Sequence, residues 1–353
     1  MKRVACINGY WSTNIGNAFY NLGAEYVLKQ VFGDENVHMI FDQTAYINHG
    51  KKNIPQALDY MAHLNVDYVV LLGPVLTGNF LKVWRKTLDD LKARGIGYMI
   101  LSAGMMKNNE QAMEEIRSYF RENPPYAVTT RDRDTYEALR DSVERIYDGI
   151  CFAFFVPDCV RPVSTDLTPV MAVNFDKIDE PEIFMDSDRP SDISFDFDGH
   201  RIGMKFKGLF ARVGLKTDRF TDALVYLTSP LPRGKRPEKI GDYTVIRTDH
   251  RFSPMFRRKA FRYANSVCAD VPQTYANIYA EAELTLSDRV HACAIALAYG
   301  NRAYLFAKTG RSALLKRVGA QGIEDHPVAI DLEKLQVEKQ NLIAYLRSVI
   351  HTQ

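Results

Sequence analysis

The sequence predicts an α/β protein made of two parallel-sheet lobes that face each other across a cleft. Three observations carry that reading. The 353 residues exceed the size at which one hydrophobic core keeps growing, so two domains are expected. Short apolar runs alternate with segments of helical spacing, which implies right-handed crossovers and parallel sheets. The alternation stops at the Pro-containing stretch Val156–Pro169 and then starts again. With 46% hydrophobic and 25% charged residues the chain is neither disordered nor fibrous, so a packed core is feasible.

Val4 to Gly9 is a short apolar run ending in glycine, and Asn17 to Val31 follows with helical spacing, so the chain opens with a β-loop-α unit. Val37–Phe41, Tyr68–Leu72, Tyr98–Leu101 and Ala127–Thr130 read as buried strands. Helices are expected around Gln56–His63, Phe80–Ala93, Gln111–Arg121 and Asp134–Asp141. Together they make one Rossmann-like lobe over residues 1–160. A second, similar lobe over 168–330 has strands at Val170–Phe175, Ala223–Thr228, Tyr243–Ile246, Leu284–Leu286 and Ala303–Phe306. Its helices fall near Pro272–Glu281, Arg289–Tyr299 and Ser312–Val318. The Asp, Ser and Pro content of Asp176–Gly199 predicts a long mobile loop between the first two of those strands. Residues 331–353 hold a last helix, Leu332–Val349, of a length that suits crossing back to the first lobe.

The start, MKRVACINGY, reads as a first strand rather than a signal peptide, and no stretch approaches the ~18 to 20 apolar residues of a membrane span. Five scattered cysteines without a CxxC pair suggest neither disulfides nor zinc, and suit a reducing cytoplasm. Net charge is only +2, but it is unevenly spread. Asp176 to Asp198 carries nine acidic against two basic residues, whereas Arg201 to Tyr263 carries sixteen Lys or Arg against five Asp or Glu. Such a basic block attracts anions, including the headgroups of a membrane surface, or forms a solvated face. It lacks any nucleic-acid-binding pattern, so no nucleic-acid partner is expected.

Four segments sit where strands should turn into helices, the carboxyl-end position at which open parallel sheets bind ligands. In the first, Gly9-Tyr10-Trp11-Ser12-Thr13-Asn14-Ile15-Gly16-Asn17, glycines permit close backbone approach and a following helix N-terminus offers amides to an anion or sugar hydroxyl. Tyr10 and Trp11 suit stacking on a sugar ring. The segment lacks GxGxxG spacing and a P-loop lysine, and it serves equally as a structural turn. The second comprises Leu72–Asn79 and Ser102-Ala103-Gly104, whose small residues fit a cleft or plain chain geometry. The third, Thr129-Thr130-Arg131-Asp132-Arg133-Asp134, offers Asp132 or Asp134 as a helix cap and Arg131 as a planar fork for carboxylate or phosphate, or a surface ion pair.

The fourth is the most informative. Leu284-Thr285-Leu286-Ser287-Asp288-Arg289-Val290-His291-Ala292 runs a buried strand through Ser287 and Asp288 into a small apolar helix. Those two residues offer a cap, free amides and a positive dipole end. Extended backbone projects residues two apart to one side, so Arg289 and His291 face one ligand together. Arg supplies permanent charge, and His a group that titrates near neutrality. His250, at the end of another strand, is a secondary candidate or a surface-loop histidine.

The segment YAEAELTLSDRVHACAIALAYGNRAYLFAKTGRSALLKRVG, from Tyr279 to Gly319, resembles the C-terminal signature of the polysaccharide pyruvyl transferase family. GYWSTNIGN, TTRDRDTYEAL and Asp148-Gly149 before a hydrophobic run fall in the family's order too. The resemblance implies a GT-B-like fold and an enzyme, which the scattered cysteines suit to the cytoplasm and the basic block to docking at the inner face of the cell membrane. That enzyme moves the pyruvyl group of phosphoenolpyruvate onto sugar hydroxyls as a ketal. It implies Arg289 and His291 as catalytic residues, and donor binding by Arg131, Ser287, Asp288, Arg289 and His291. Gly9, Tyr10, Trp11, Asn14, Gly16, Asn17 and His250 are then expected on the acceptor side. Phosphoenolpyruvate is a co-substrate, and neither a further cofactor nor a metal is expected. Asn17, Gly73-Pro74-Val75 and the acidic insertion depart from the family pattern. Two other functions suit the same scaffold: a glycosyltransferase using a nucleotide-sugar, and a non-catalytic carbohydrate-binding protein.

Overall fold

A computed structural model describes residues 2–8, 14–41, 63–105, 110–178, 180–206, 236–250, 263–307 and 309–351. In the first lobe, β1 (Val4–Asn8), β2 (Val37–Phe41), β3 (Tyr68–Leu72), β4 (Gly97–Ala103), β5 (Ala127–Thr130) and β6 (Ile146–Tyr147) form one sheet ordered β2-β1-β3-β4-β5-β6. Every pairing is parallel. Strands covered on both faces need no alternation, which is why β1 and β3 are buried along their whole length.

Helices α2 (Phe80–Ala93) and α3 (Glu110–Glu122) lay apolar stripes on one face of this sheet, Phe80, Trp84, Leu88 and Leu91 from the first and Met113, Ile116 and Phe120 from the second. Helix α1 (Ile15–Phe32) is buried around most of its circumference because it lies between the lobes. Its Gly23 allows contact with the Phe152 carbonyl that any side chain would block. The lobe closes with α4 (Arg133–Leu139), a 3₁₀ turn over Phe152–Phe155, and α5 (Val156–Cys159).

The second lobe contains β7 (Val170–Asn174), β8 (Glu182–Met185), β9 (Ile193–Phe197), β10 (His200–Lys205), β11 (Lys239–Ile240), β12 (Tyr243–Thr248) and β13 (Ser266–Val267). It continues with α6 (Pro272–Glu281), β14 (Ala282–Ser287), α7 (Val290–Ala298), β15 (Arg302–Leu305) and α8 (Ala313–Lys316). Its main sheet runs β11-β12-β7-β14-β15, with β13 beside β12, and only β11 is antiparallel.

Residues 176–199 are not a long mobile loop. They build most of a three-stranded antiparallel sheet, β8-β10-β9. The signal lies in Asp198-Gly199, both at positive φ (50° and 78°), which join β9 to β10 as a two-residue hairpin. The acidic residues mark the outer side of a strand: Phe195 and Phe197 of β9 point inward and Asp196 outward. Phe195, Phe197, Ile202 and Met204 pack on Met171, Val173, Leu284 and Leu286, so this sheet covers one face of the lobe. The strand expected at 223–228 lies outside the described residues, as does nearly all of the helix expected at 56–63.

Helix α9 (Leu332–His351) returns to the first lobe: Tyr126 Oη donates to the Val349 carbonyl at 2.9 Å, and the Arg347 guanidinium donates to the Gln30 carbonyl. Lys339 pairs with Asp158 at 2.7 Å. Among the described residues, no helix is long and apolar enough to cross a membrane.

Both sheets have a point where the strand order reverses, between β1 and β3 in one and between β7 and β14 in the other. Crevices at the carboxyl ends of such points are where this architecture binds ligands. Ile15 N, at the start of α1, donates to the His250 carbonyl at 2.9 Å, so the two crevices face each other.

Candidate functional site

The β7/β14 crevice is built by a chain of buried polar contacts. Asn174 at the end of β7 donates through Nδ2 to the Thr248 carbonyl (2.9 Å) and accepts from Ser287 Oγ (3.0 Å). Ser287 Oγ in turn accepts from the Arg289 amide at 2.8 Å. Asp288 accepts backbone amides from Asp176 (3.0 Å), Lys177 (2.6 Å) and Ile178 (2.9 Å), clamping the chain that leaves β7. The Ser287 and Asp288 side chains thus both make hydrogen bonds to the scaffold. Neither caps α7. Arg289 occupies that position, in extended conformation and without a side-chain cap, and His291 lies in the first helical turn. Replacing Asp288 with Ala is expected to destabilise the protein by about 3 kcal/mol, read as a shift in a urea unfolding curve.

Arg289 is 8% exposed. Its Nε donates to Asp176 Oδ2 at 3.2 Å, while its Nη2 is buried without a hydrogen-bond partner among the described residues. Across the cleft, the end of β5 presents Arg131, which is 3% exposed. Among the described residues its Nε also lacks a hydrogen bond, and its nearest carboxylate there, Asp132, is 4.0 Å away and occupied in capping α4 through the Thr135 amide. Gly104 exists for this arginine: a Cβ there would overlap the guanidinium. Asn8, buried at the end of β1, likewise has no partner for its Nδ2 among the described residues. Buried donors are normally satisfied, so three such orphans at strand ends are an unusual concentration.

His291 stands where the lobes meet. Its ring meets Tyr20 edge-on at 5.6 Å, Nε2 lies 3.9 Å from Cys151 Sγ, and Nδ1 faces Gly16 of α1. Although part of its surface is accessible, the ring is set deep among protein atoms. That burial holds its pKa well below the ordinary 6.5, and the charges of Arg131, Arg311, His250 and Arg289 push it further in the same direction. The imidazole is therefore neutral at physiological pH and surrounded by positive charge.

Of the residues expected on the acceptor side, Gly9, Tyr10 and Trp11 lie outside the described residues, as do Ser12 and Thr13. Asn14 Nδ2 donates to Asn17 Oδ1 at 3.4 Å at the mouth of α1, beside Gly16. His250 is not a surface-loop histidine: it is 1% exposed, with Nε2 2.5 Å from the Tyr279 hydroxyl and its ring boxed by Phe19, Tyr275 and Tyr279. It packs where the lobes meet, against Phe19 of α1. The basic stretch 201–263, with the aromatic segment Phe206–Leu215, is largely outside the described residues.

Sequence reasoning missed Arg311, Cys151, Tyr20 and Asn8. Arg311 follows β15 in a turn capped by Thr309, the same cleft-facing position that drew attention to Arg131 and Arg289. Cys151 and Tyr20 carried no local signal, since only the docking of the lobes brings them to His291. Beside this cluster a cavity of about 980 Å³ opens between the lobes, with Arg133, Asp134 and Asp148 on one side and Thr309, Gly310 and Lys316 on the other. It adjoins the cluster through the Arg311 turn and does not include His291. Among the described residues, no group of three or more His, Cys, Asp or Glu is arranged to hold a metal.

The family model for polysaccharide pyruvyl transferase matches residues 14–307, well over half of the chain. The protein belongs to the polysaccharide pyruvyl transferase family. Membership makes it a transferase of polysaccharide modification, and the matched span contains Arg131, Arg289 and His291. A comparison with curated proteins gives no sequence match. Similar solved structures include the S. aureus MnaA-UDP co-structure (11% identity, TM-score 0.48, covering 99% of this chain and 91% of that one). The UDP-GlcNAc 2-epimerase of Methanocaldococcus jannaschii follows at 14% identity and TM-score 0.47, covering 96% and 92%. A family 9 glycosyl transferase of Veillonella parvula has 10% identity and TM-score 0.30, covering 97% of both chains. At such identities no residue role passes from these proteins to the family member described here.

Proposed function

We propose that the protein transfers the pyruvyl group of phosphoenolpyruvate to two hydroxyls of a sugar, in a polysaccharide or its precursor, as a cyclic ketal. The observation that carries this reading is the pair of buried arginines, Arg131 of one lobe and Arg289 of the other, each with an N–H unsatisfied among the described residues and each acting electrostatically on a neutral His291. A small donor bearing both phosphate and carboxylate matches two separated guanidinium forks better than a ligand with one anionic end.

In this reading the enol methylene is protonated, leaving an oxocarbenium-like C2. One sugar hydroxyl adds to C2, and the second displaces phosphate with cleavage of the C2–O bond. Of the two hydroxyl protons, one balances the new methyl group and the other leaves on phosphate. The arginines stabilise the departing phosphate, and His291 moves the protons. Donor charge offsets the surrounding arginines and raises the proton affinity of His291, converting it to the acid the first step requires.

Calorimetric titration tests the donor and this linkage together. Phosphoenolpyruvate is expected to bind saturably with net proton uptake, read from the dependence of the enthalpy on the buffer's ionisation heat. The sign follows from the depressed pKa: in the free site His291 is a neutral imidazole, so an anion that favours the imidazolium draws in a second ring proton. Binding of a nucleoside diphosphate in place of phosphoenolpyruvate would overturn the reading in favour of a nucleotide-sugar donor.

A further inference from the structure

The two ring nitrogens of His291 meet different elements, and the difference assigns them different tasks. Nε2 is 3.9 Å from Cys151 Sγ, at the edge of hydrogen-bonding distance for sulfur. Cys151 is completely buried, and burial pushes its thiol up from its ordinary value despite the opposing charge of Arg131. It therefore meets the imidazole as S–H, with a proton to donate to Nε2. The thiol is itself held in place: the next amide, Phe152 N, donates to Ser102 Oγ at 3.2 Å, and Ser102 sits at a positive φ of 51° at the end of β4.

Nδ1 has no hydrogen-bond partner among the described residues and is not among the sealed polar atoms of the core. Since Nε2 abuts a buried thiol, the accessible edge of the ring is the Nδ1 edge. What borders that edge is a glycine. A Cβ on Gly16 would lie 3.0 Å from Nδ1 and 3.3 Å from Asn14 Oδ1.

A neutral imidazole carries one proton, and the hydrogen bond at one nitrogen decides which nitrogen holds it. We propose that Cys151 is a positioning residue that fixes His291 as the Nδ1–H tautomer, so that Nδ1, kept open by Gly16, is the nitrogen that exchanges protons with substrate. The proposal rests on His291 being the reacting group under the proposed function. Its first readout needs no substrate, so it succeeds or fails independently of donor identity.

The full chain, labelled with ¹⁵N-histidine, is examined without ligand above neutral pH. The His291 signals are identified by their loss in His291→Gln. The wild type is expected to show Nδ1 protonated and Nε2 unprotonated, Cys151→Ala a shift of the proton toward Nε2, and Cys151→Ser, which keeps a donor, the wild-type pattern. A wild-type ring protonated on Nε2, or a Cys151→Ala spectrum unchanged from wild type, overturns the assignment. In turnover, Cys151→Ala is expected to lower kcat by roughly 10- to 100-fold, typical of losing a group that orients a functional imidazole, with donor affinity retained. Cys151→Ser should recover most of that loss. Equal loss in both variants would mean packing, not the hydrogen bond, and would also refute the proposal.

Discussion

Replacing His291 with Ala is expected to reduce ketal formation by roughly 10²- to 10⁴-fold, the usual contribution of a positioned general acid or base. Phosphoenolpyruvate should still bind within a few-fold of wild type, because the anion is held by the arginines and the imidazole is neutral before the donor arrives. The proton uptake that accompanies binding should vanish in the same variant. Comparing single-turnover rates with calorimetric affinity separates the two effects. Near-normal turnover in His291→Ala would remove this residue from the mechanism.

The two arginines should respond alike in binding and oppositely in stability. Each contributes charge-assisted hydrogen bonds of about 1.5 to 3 kcal/mol to a bound anion, so Arg131→Ala or Arg289→Ala should weaken phosphoenolpyruvate roughly 10- to 100-fold or more. Arg289 is also the partner of Asp176, whose side chain is 1% exposed, and truncating one member of a buried pair costs about 3 to 5 kcal/mol. Among the described residues Arg131 has no carboxylate closer than 4.0 Å, so the folded protein bears the cost of burying its charge without full compensation. Arg131→Ala is accordingly expected to raise the melting temperature while abolishing tight donor binding, and Arg289→Ala to lower both. Thermal unfolding of the two variants side by side checks the contrast, which is the trade of stability for function expected at a binding site.

The parts of the protein legible in its sequence were those with a local cause. Burial on both faces makes β1, β3 and β14 continuous apolar runs, and a buried strand entering a small-residue helix marks the ligand end of the lobe, which is how Arg289 and His291 stand out. Arg131 is visible for the same reason at the end of β5. The β8-β10-β9 sheet was obscured because its outward aspartates dominate the composition, although Asp198-Gly199 between alternating segments is a hairpin signal. Ser287 and Asp288 have the right residue types for a cap, and nothing local reveals that the chain leaving β7 claims both. Cys151, Tyr20 and the buried state of His250 depend on how the lobes dock, which no periodicity encodes.

Among the described residues the most extensive apolar cluster crosses the boundary between the lobes. It is not confined to either lobe: Val4 and Cys6 of β1, Phe19 and Val27 of α1, Phe152 to Val156, Ile295 of α7 and Leu342 and Leu346 of α9 belong to a single continuous core. A chain severed in the connecting stretch would strip α1 of neighbours supplied by residues more than a hundred positions away. Two architectural halves thus share one core: exchanging either lobe between relatives at the apparent boundary is expected to fail unless the seam of α1, α7 and α9 is exchanged with it.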